Sequence, residues 1–194
     1  VIQLPLPPGT LLDLWNDNPR FKAGYLDQFP GYYFSGDGGY KDNDDYIFIT
    51  GRVDDVINVA GHRLSTSEME EIVSSHQSVA ECAVIGINDT LKGQITLALV
   101  VTKLNDDIEH FQLEQEIIKL VRKQIGAVAS LRNVVIVERL PKTRSGKILR
   151  KLMRSIADGD SFQIPSTIDD EVIVEEIDAI LIKYEIGIYN KKQH

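Results

Sequence analysis

The sequence predicts an α+β fold, a small three-stranded sheet with helices packed on it, preceded by a β-hairpin. Three apolar runs of strand length, at 79–87, 95–101 and 133–138, supply the strands. Amphipathic stretches with apolar residues at helical spacing lie between and after these runs. Strands that interleave with helices over so short a stretch are typical of a compact mixed domain. We place this domain at residues 54–194, after an N-terminal part at residues 1–53.

The N-terminal part ends in the predicted hairpin. Residues 1–31 are rich in proline and glycine, so we expect loops there. The stretch "YYFSGDGGYKDNDDYIFITGR" (32–52) then indicates two short strands around a polar turn at residues 41–45.

The mixed domain begins with a helix that carries a capping signal. "LSTSEMEEIVSSH" shows the S-x-x-E spacing of a capping box twice, so we predict a helix from near Ser67. The apolar runs that follow flank the polar turn "NDTLKGQ" and should pair with each other.

Three more helices are predicted. Between residues 109 and 125 the apolar positions form one stripe, ended by a glycine: Leu113, Ile117, Val121, Ile125 and Gly126. A second stripe follows the third strand and ends in the same way: Ile148, Leu152, Ile156 and Gly159. The tail "DDEVIVEEIDAILIKY" gives a last helical pattern.

Composition and charge exclude several function classes. The net charge is −8, and residues 155–194 hold 9 Asp/Glu against 3 Lys/Arg. A nucleic-acid partner is not expected, because it would require a broad positive face. No apolar run approaches the ~20 residues of a membrane span. The one cysteine, Cys82, cannot form an internal disulfide, so we predict a reducing compartment: the cytoplasm, or the mitochondrial matrix in a eukaryote.

The segment "LPKTRSGKILRKLMR" (140–154) carries six Lys/Arg and no carboxylate. It is not a P-loop, because Ile148 follows the Gly-Lys pair and Pro141 stands where the first glycine belongs. Its second half interleaves apolar residues at helical spacing, so its basic residues fit an ordinary solvated helix. Lys147 differs, because it lies between a glycine-containing loop and a helix start, where a long cation can reach a neighbouring site.

Two other stretches are ambiguous when taken singly. Asp37 stands between glycines in "SGDGG", where a carboxylate can grip a ribose diol or simply close a turn. "GRVDDVINVAGHR" concentrates charge around Gly61. His62 and His76 with a single cysteine do not make a zinc site, and the Asp-rich turn lacks the glycine of a calcium loop.

Taken together and in this order, the three stretches resemble the C-terminal part of the adenylate-forming enzymes, which include acyl-CoA synthetases and luciferases. "YFSGDGG" resembles the ribose-binding motif, "GRVDDVINVAGHR" the hinge with its following loop, and "LPKTRSGK" the catalytic-lysine motif. The likeness is closest to the short-chain branch, acetyl- and propionyl-CoA synthetases, and "PGYYFSGDGGY" tilts it toward propionyl-CoA synthetase. Residues 1–53 would then end a large N-terminal lobe, and residues 54–194 would form the catalytic-lysine domain.

The resemblance implies a ligase that works in two steps. A small carboxylic acid and ATP, with Mg²⁺, give an acyl-adenylate and diphosphate; CoA then displaces AMP to give the thioester. The small domain would rotate between the steps. We expect this chain to be a piece of a longer protein and to be inactive alone. The alternative is a stand-alone module that binds a nucleotide or CoA, or docks on a partner, without catalysis.

The resemblance also implies roles for residues on the ATP side. Asp37 and Arg52 would hold the ribose of ATP, and Asp54 would be the hinge. Arg63 would contact the ATP phosphates. Lys147 would neutralise charge on the carboxylate and the α-phosphate during adenylation, and lysine acetyltransferases and deacetylases would act on it.

On the CoA side, Ala60 and Gly61 would line the pantetheine tunnel, and Arg122 would meet the 3′-phosphate. Arg122 also lies in the last turn of a predicted helix, where the helix dipole favours a cation whatever its function. A bound cation would lie beside three residues of the "SSHQSV" stretch: Ser74, His76 and Val79.

Overall fold

The structure, a computed structural model, describes residues 1–6, 8–129 and 131–190. The chain divides into two compact units, Val1–Asp54 and Asp55–His194. In the described part of the chain, no helix is both long enough and apolar enough to cross a membrane.

The first unit contains two antiparallel strand pairs. Strand β1 (Ile2–Gln3) pairs with β2 (Tyr32–Tyr33), and β3 (Asp37–Lys41) pairs with β4 (Ile47–Arg52). The predicted hairpin is confirmed as β3–β4. Its turn is closed by Asp42, whose Oδ1 accepts hydrogen bonds from the N–H groups of residues 44 and 46, both at 2.9 Å.

The first unit also contains a helix, α1 (Asn18–Tyr25), where we expected only loops. Asp17 caps it by accepting a hydrogen bond from the Arg20 N–H at 3.2 Å. Pro19, one of the prolines that suggested a loop, is tolerated in the first turn because its missing N–H would have no helical partner there. Phe21 is the buried residue of this helix.

The second unit is built on one sheet whose central strand is β8 (Gly93–Thr102). Strand β7 (Val79–Asp89) pairs antiparallel with the whole of β8, and β9 (Leu131–Ile136) pairs parallel with it. Two short strands, β5 (Ile57–Val59) and β6 (His62–Leu64), form a hairpin that joins β8 at Gly93. The three predicted strands are therefore present, and the sheet has five rather than three. Three-residue strands are too short for a readable alternation of apolar residues.

Both faces of this sheet are buried, which explains why β7 and β8 appear in the sequence as continuous apolar runs. Helices α2 (Thr66–Ser74) and α3 (His110–Gln124) cover one face, and α4 (Arg150–Asp158) and α5 (Ile173–Lys183) cover the other. Alternate side chains of β7 and β8 enter the two cores. The first core contains Cys82, Val84, Ala98 and Val100; the second contains Ala83, Ile85, Leu97 and Leu99.

The helix ends follow from capping chemistry. Helix α2 starts one residue before the predicted position, because Ser65 is the cap and accepts a hydrogen bond from the Glu68 N–H at 3.3 Å. Helix α3 lies within the predicted bounds. Helix α4 ends at Gly159, which has the left-handed conformation (φ 70°) that glycine adopts without strain.

Candidate functional site

The two residues expected to hold ribose are neighbours across the β3–β4 hairpin, where Asp37 is directly opposite Arg52. Arg52 donates from Nη1 to the Ser35 carbonyl at 2.8 Å and to Asp37 Oδ1 at 3.4 Å, and from Nε to Asp54 Oδ1 at 3.2 Å. Burial alone would lower the pKa of Arg52, but Asp54 and Asp37 outweigh it and raise that pKa. One charged guanidinium therefore connects the ribose candidate to the hinge candidate.

Gly36 explains why the motif needs glycine before Asp37. Its φ is +75°, and a Cβ at this position would lie 2.5 Å from Arg52 Nη2. The side chain of Asp37 remains 37% exposed, so it can accept hydrogen bonds from a ligand. A cavity of about 550 Å³ adjoins the motif and is lined in part by Trp15, Gly36 and Arg52.

The two residues expected at the pantetheine tunnel form the turn of the β5–β6 hairpin. Ala60 (φ 49°) and Gly61 (φ 86°) both have positive φ, the pattern of a two-residue type I′ turn. The Ala60 N–H donates to the Lys92 carbonyl at 2.8 Å, so this turn is attached to the β7–β8 turn. Arg63 follows on β6, exposed and opposite Asn58.

Arg122 lies in the last turn of α3 and lines a cavity of about 340 Å³. Lys92 and Arg132 line the same cavity, so three basic residues converge there. Neither Lys92 nor Arg132 stands out in the sequence as a candidate site residue. The only signal was a lysine in the polar turn "NDTLKGQ", whose position beside α3 depends on strand pairing. Through the hydrogen bond from the Ala60 N–H to the Lys92 carbonyl, the structure brings the candidate CoA residues into one region of the second unit.

Lys147 is presented by a tightly closed loop, residues 141–149, which we term the lysine loop. The Thr143 N–H donates to the Lys147 carbonyl at 2.9 Å, and the Lys147 N–H donates back to Thr143 Oγ1 at 3.1 Å. Gly146 adopts φ +84° at the turn, and Lys142 pairs with Ile148 across it. Lys147 is exposed, and within the described ranges no residue pairs with its ammonium group. The loop therefore holds the backbone of Lys147 while its charge faces solvent.

Arg150 corrects one expectation, because it does not belong to a plain solvated face. Its guanidinium binds the Glu70 carboxylate of α2 in a bidentate pair, Nε to Oε1 at 2.8 Å and Nη2 to Oε2 at 2.7 Å. Glu70 Oε1 also accepts the Val84 N–H at 2.9 Å. Arg150 thus fixes the start of α4, directly after the lysine loop, to α2 and to the sheet.

The predicted cation site does not offer suitable side chains. His76 Nδ1 accepts the Ser78 N–H at 3.2 Å, so the neutral ring carries its proton on Nε2 and donates to Glu116 Oε2 at 2.9 Å. Both ring nitrogens are therefore occupied. Val79 contributes a buried alkyl side chain, and its N–H donates to the His76 carbonyl at 3.1 Å.

Ser74, the third residue of the predicted cation site, has its hydroxyl 3.3 Å from the Cys82 thiol. The described residues contain no group of three His, Cys, Asp or Glu that could hold a metal ion. The side chains of Ser74, His76 and Val79 supply no carboxylate for a bound cation, so this site stays a prediction and we derive no chemical step from it.

Comparison with known proteins then decides the family. Residues 68–147 match the AMP-binding enzyme C-terminal domain. The chain is 48% identical over 181 residues to human acyl-CoA synthetase short-chain family member 3, mitochondrial, covering 93% of this chain and 26% of that protein. Residues 68–147 of this chain belong to the AMP-binding enzyme C-terminal domain family. An uncharacterized protein of Pseudomonas aeruginosa is 60% identical over 93% of this chain and 29% of its own length.

A solved structure supports the same placement. The amide bond synthetase McbA from Marinactinospora thermotolerans matches with a TM-score of 0.62 and 28% identity, over 74% of this chain and 28% of that one. The predicted family and the α+β class are thus confirmed. The chain spans less than a third of the length of these relatives, and the roles of single residues remain predictions.

Proposed function

We propose that the chain is the C-terminal portion of a short-chain acyl-CoA synthetase, an AMP-forming acid–thiol ligase. The enzyme joins a small carboxylic acid to CoA and converts ATP to AMP and diphosphate. The observation that carries this proposal is the placement of Lys147, a charge exposed to solvent on a loop whose backbone is closed by its own hydrogen bonds.

In the first step, a carboxylate oxygen of the acid attacks the α-phosphorus of ATP, and diphosphate leaves. Lys147 stabilises the negative charge that the carboxylate and the α-phosphate bring together. Asp37 accepts hydrogen bonds from the ribose, with Arg52 holding that carboxylate in place, and Arg63 contacts the phosphates. Mg²⁺ enters as part of the ATP complex, coordinated by phosphate oxygens.

In the second step, the sulfur of CoA attacks the acyl carbon of the adenylate. AMP leaves with the bonding electrons, and the thiol proton passes to solvent. Arg122 binds the 3′-phosphate of CoA, and the turn of Ala60 and Gly61 lines the path of the pantetheine. Lys92 and Arg132, which share the cavity of Arg122, add positive charge for the remaining phosphates. Asp54 acts as the hinge between the two steps.

We further propose that residues 1–53 end a larger N-terminal lobe and that residues 54–194 form the catalytic-lysine domain. The division into compact units after Asp54 supports this boundary. The β3–β4 hairpin supports the larger lobe, because Tyr40 and Phe48 stack at 5.0 Å while remaining 58% and 45% exposed. Apolar surface of this kind is normally covered by other protein.

The acid is propionate or acetate in this proposal, with the sequence likeness favouring propionate. The compartment in this proposal is the cytoplasm, or the mitochondrial matrix in a eukaryote. The name of the human relative describes that protein as mitochondrial. The exposure of Lys147 makes it accessible to a lysine acetyltransferase, which would remove its charge and stop adenylation, and to a deacetylase that would restore it.

The test uses the full-length protein with ATP, Mg²⁺, CoA and propionate, acetate or butyrate in parallel. We expect acyl-CoA, AMP and diphosphate in equal amounts, with propionate or acetate preferred. Binding of AMP or CoA without any turnover would instead identify a non-catalytic binding module and refute the ligase.

A further inference from the structure

A second segment of the chain lies against the lysine loop. Residues 165–170, which we term the strap, come after α4 and before α5. They lie outside residues 68–147, the part that matches the family domain. The strap therefore contacts the lysine loop from outside the matched residues.

The strap is hydrogen-bonded to the first arm of the lysine loop. The Arg144 N–H donates to the Thr167 carbonyl, and the Asp169 N–H donates to the Lys142 carbonyl, both at 2.9 Å. Thr143 is paired with Ile168 in an antiparallel bridge. On its other side the same arm pairs with the returning arm of the loop, which carries Lys147. The first arm is thus the middle of three hydrogen-bonded segments.

The strap itself is firmly attached to the second unit. The side chain of Ile168 is 3% exposed and belongs to the core beneath α4 and α5. Arg139 donates from Nη1 to Asp170 Oδ2 at 2.7 Å. The same guanidinium binds Glu176 of α5 in a bidentate pair at 2.9 and 2.6 Å. Hydrogen bonds from Arg139 lower the pKa of both carboxyls, so both are charged at neutral pH.

These contacts restrict where Lys147 can be. Positioning errors of about 1 Å can cost on the order of a hundredfold in rate, and residues that support a site determine how well it is positioned. We propose that the strap is a positioning device for the adenylation step, in which the Asp169 N–H and the Asp170 carboxylate act through the lysine loop on Lys147. This inference rests on the proposed function.

The backbone donor can be tested with a matched pair of variants. Asp169→Pro removes the N–H that binds the Lys142 carbonyl, whereas Asp169→Ala keeps it and removes only an exposed carboxylate. Ile168 precedes the new proline and already pairs in a β-bridge, the extended conformation that proline favours before it. Asp170→Asn is a milder third variant, which removes the charge facing Arg139 and keeps an oxygen for the Val172 N–H.

The two half-reactions are measured separately in the full-length enzyme. We expect Asp169→Pro to slow adenylation about tenfold and Asp170→Asn about threefold, each with thioester formation from supplied acyl-adenylate within about twofold of wild type. Asp169→Ala should stay within about twofold in both half-reactions. Equal losses in both half-reactions, or wild-type adenylation in Asp169→Pro, would show that the strap packs on the second unit without positioning Lys147 for adenylation.

Hydrogen exchange gives a readout that does not depend on activity. In Asp169→Pro and Asp170→Asn, the Arg144 amide should exchange at least about threefold faster, while the Leu99 amide of the central strand β8 is unchanged. Unchanged Arg144 exchange in both variants would overturn the bracing role. If the wild type has no synthetase activity, the proposed function fails, and the exchange comparison still decides whether the strap braces the loop.

Discussion

At the scale of single residues, Arg122 has two possible roles. It binds a phosphate of CoA, or it only interacts with the dipole at the end of α3. It shares a cavity with Lys92 and Arg132, and an arginine can bind a phosphate through two parallel hydrogen bonds. We expect Arg122→Ala to raise the KM for CoA about tenfold, a loss of ~1–2 kcal/mol, without changing adenylation. Kinetics with CoA and dephospho-CoA measure this.

The preference of the wild type for CoA over dephospho-CoA should disappear in Arg122→Ala. Lys123→Ala is the matched control, because Lys123 is an exposed cation in the same helical turn that does not line the cavity. If Arg122→Ala still discriminates between the two coenzymes, Arg122 does not bind the 3′-phosphate of CoA and is only a cation at the end of a helix.

Gly36 tests the ribose site through backbone geometry. A Cβ at this position would collide with Arg52, and the positive φ adds strain for any side chain. Gly36→Ala should therefore displace the guanidinium from Asp37 and raise the KM for ATP about tenfold, through lost hydrogen bonds worth ~1–2 kcal/mol. Steady-state kinetics of the full-length enzyme give this value.

Gly24→Ala provides the comparison for Gly36, since Gly24 lines the same cavity from α1 but its added Cβ would meet no atom within 4 Å and would leave Arg52 in place. It should leave the KM for ATP unchanged and, as a helix substitution, add up to about 1 kcal/mol of stability. Equal KM values for ATP in both variants would contradict the role given to Gly36 and Arg52.

At the scale of elements, the pair between Glu70 and Arg150 joins α2 to α4 and to β7. Arg150→Ala should leave a half-buried carboxylate without its partner and lower the free energy of unfolding by about 2 kcal/mol. Urea denaturation of the chain measures this, with the exposed neighbour substitution Lys151→Ala expected within about 0.5 kcal/mol of wild type. Equal free energies of unfolding for Arg150→Ala and Lys151→Ala would mean that the pair between Glu70 and Arg150 does not contribute to stability.

The elements that could be predicted from the sequence are those with a strong local pattern. Helix α3 has three buried apolar residues on one stripe, which continues to Ile125 at its C-cap. Strands β7 and β8 are long apolar runs around a polar turn. Helix α1 was missed because Phe21 alone is buried in it, and β5 and β6 are too short to show alternation.

The candidate site was only partly predictable, because its contacts join distant parts of the chain. Glu70 and Arg150 are 80 residues apart, and Lys92 reaches the cavity of Arg122 only through strand pairing. The strap is joined to the lysine loop mainly by backbone hydrogen bonds, which leave no pattern of residue types. Asp37 was singled out by family resemblance, since its spacing alone fits an ordinary turn residue. Lys147 was set apart by its place between a glycine-containing loop and a helix start, and the resemblance supplied its role.

At the scale of the whole molecule, the chain carries Lys147 but spans less than a third of its relatives. Much of the catalysis in a two-substrate reaction comes from holding the reactants in place, and we expect that to require the larger lobe. Residues 1–194 alone should release no diphosphate from ATP and propionate, whereas the full-length protein should. Diphosphate release by residues 1–194 would refute the assignment of the acid site to a larger lobe.

The central claim is that Lys147 serves adenylation and not thioester formation. It is tested most directly by measuring both half-reactions in full-length Lys147→Ala, with Lys151→Ala as the control for an exposed cation just beyond the loop. The account predicts an adenylation rate lower by about 10²–10³, the scale for losing one pre-aimed electrostatic contact. Thioester formation from supplied acyl-adenylate should remain near wild type, and Lys151→Ala should be unaffected in both steps. An equal loss of both half-reactions in Lys147→Ala would contradict the account and make Lys147 a structural residue.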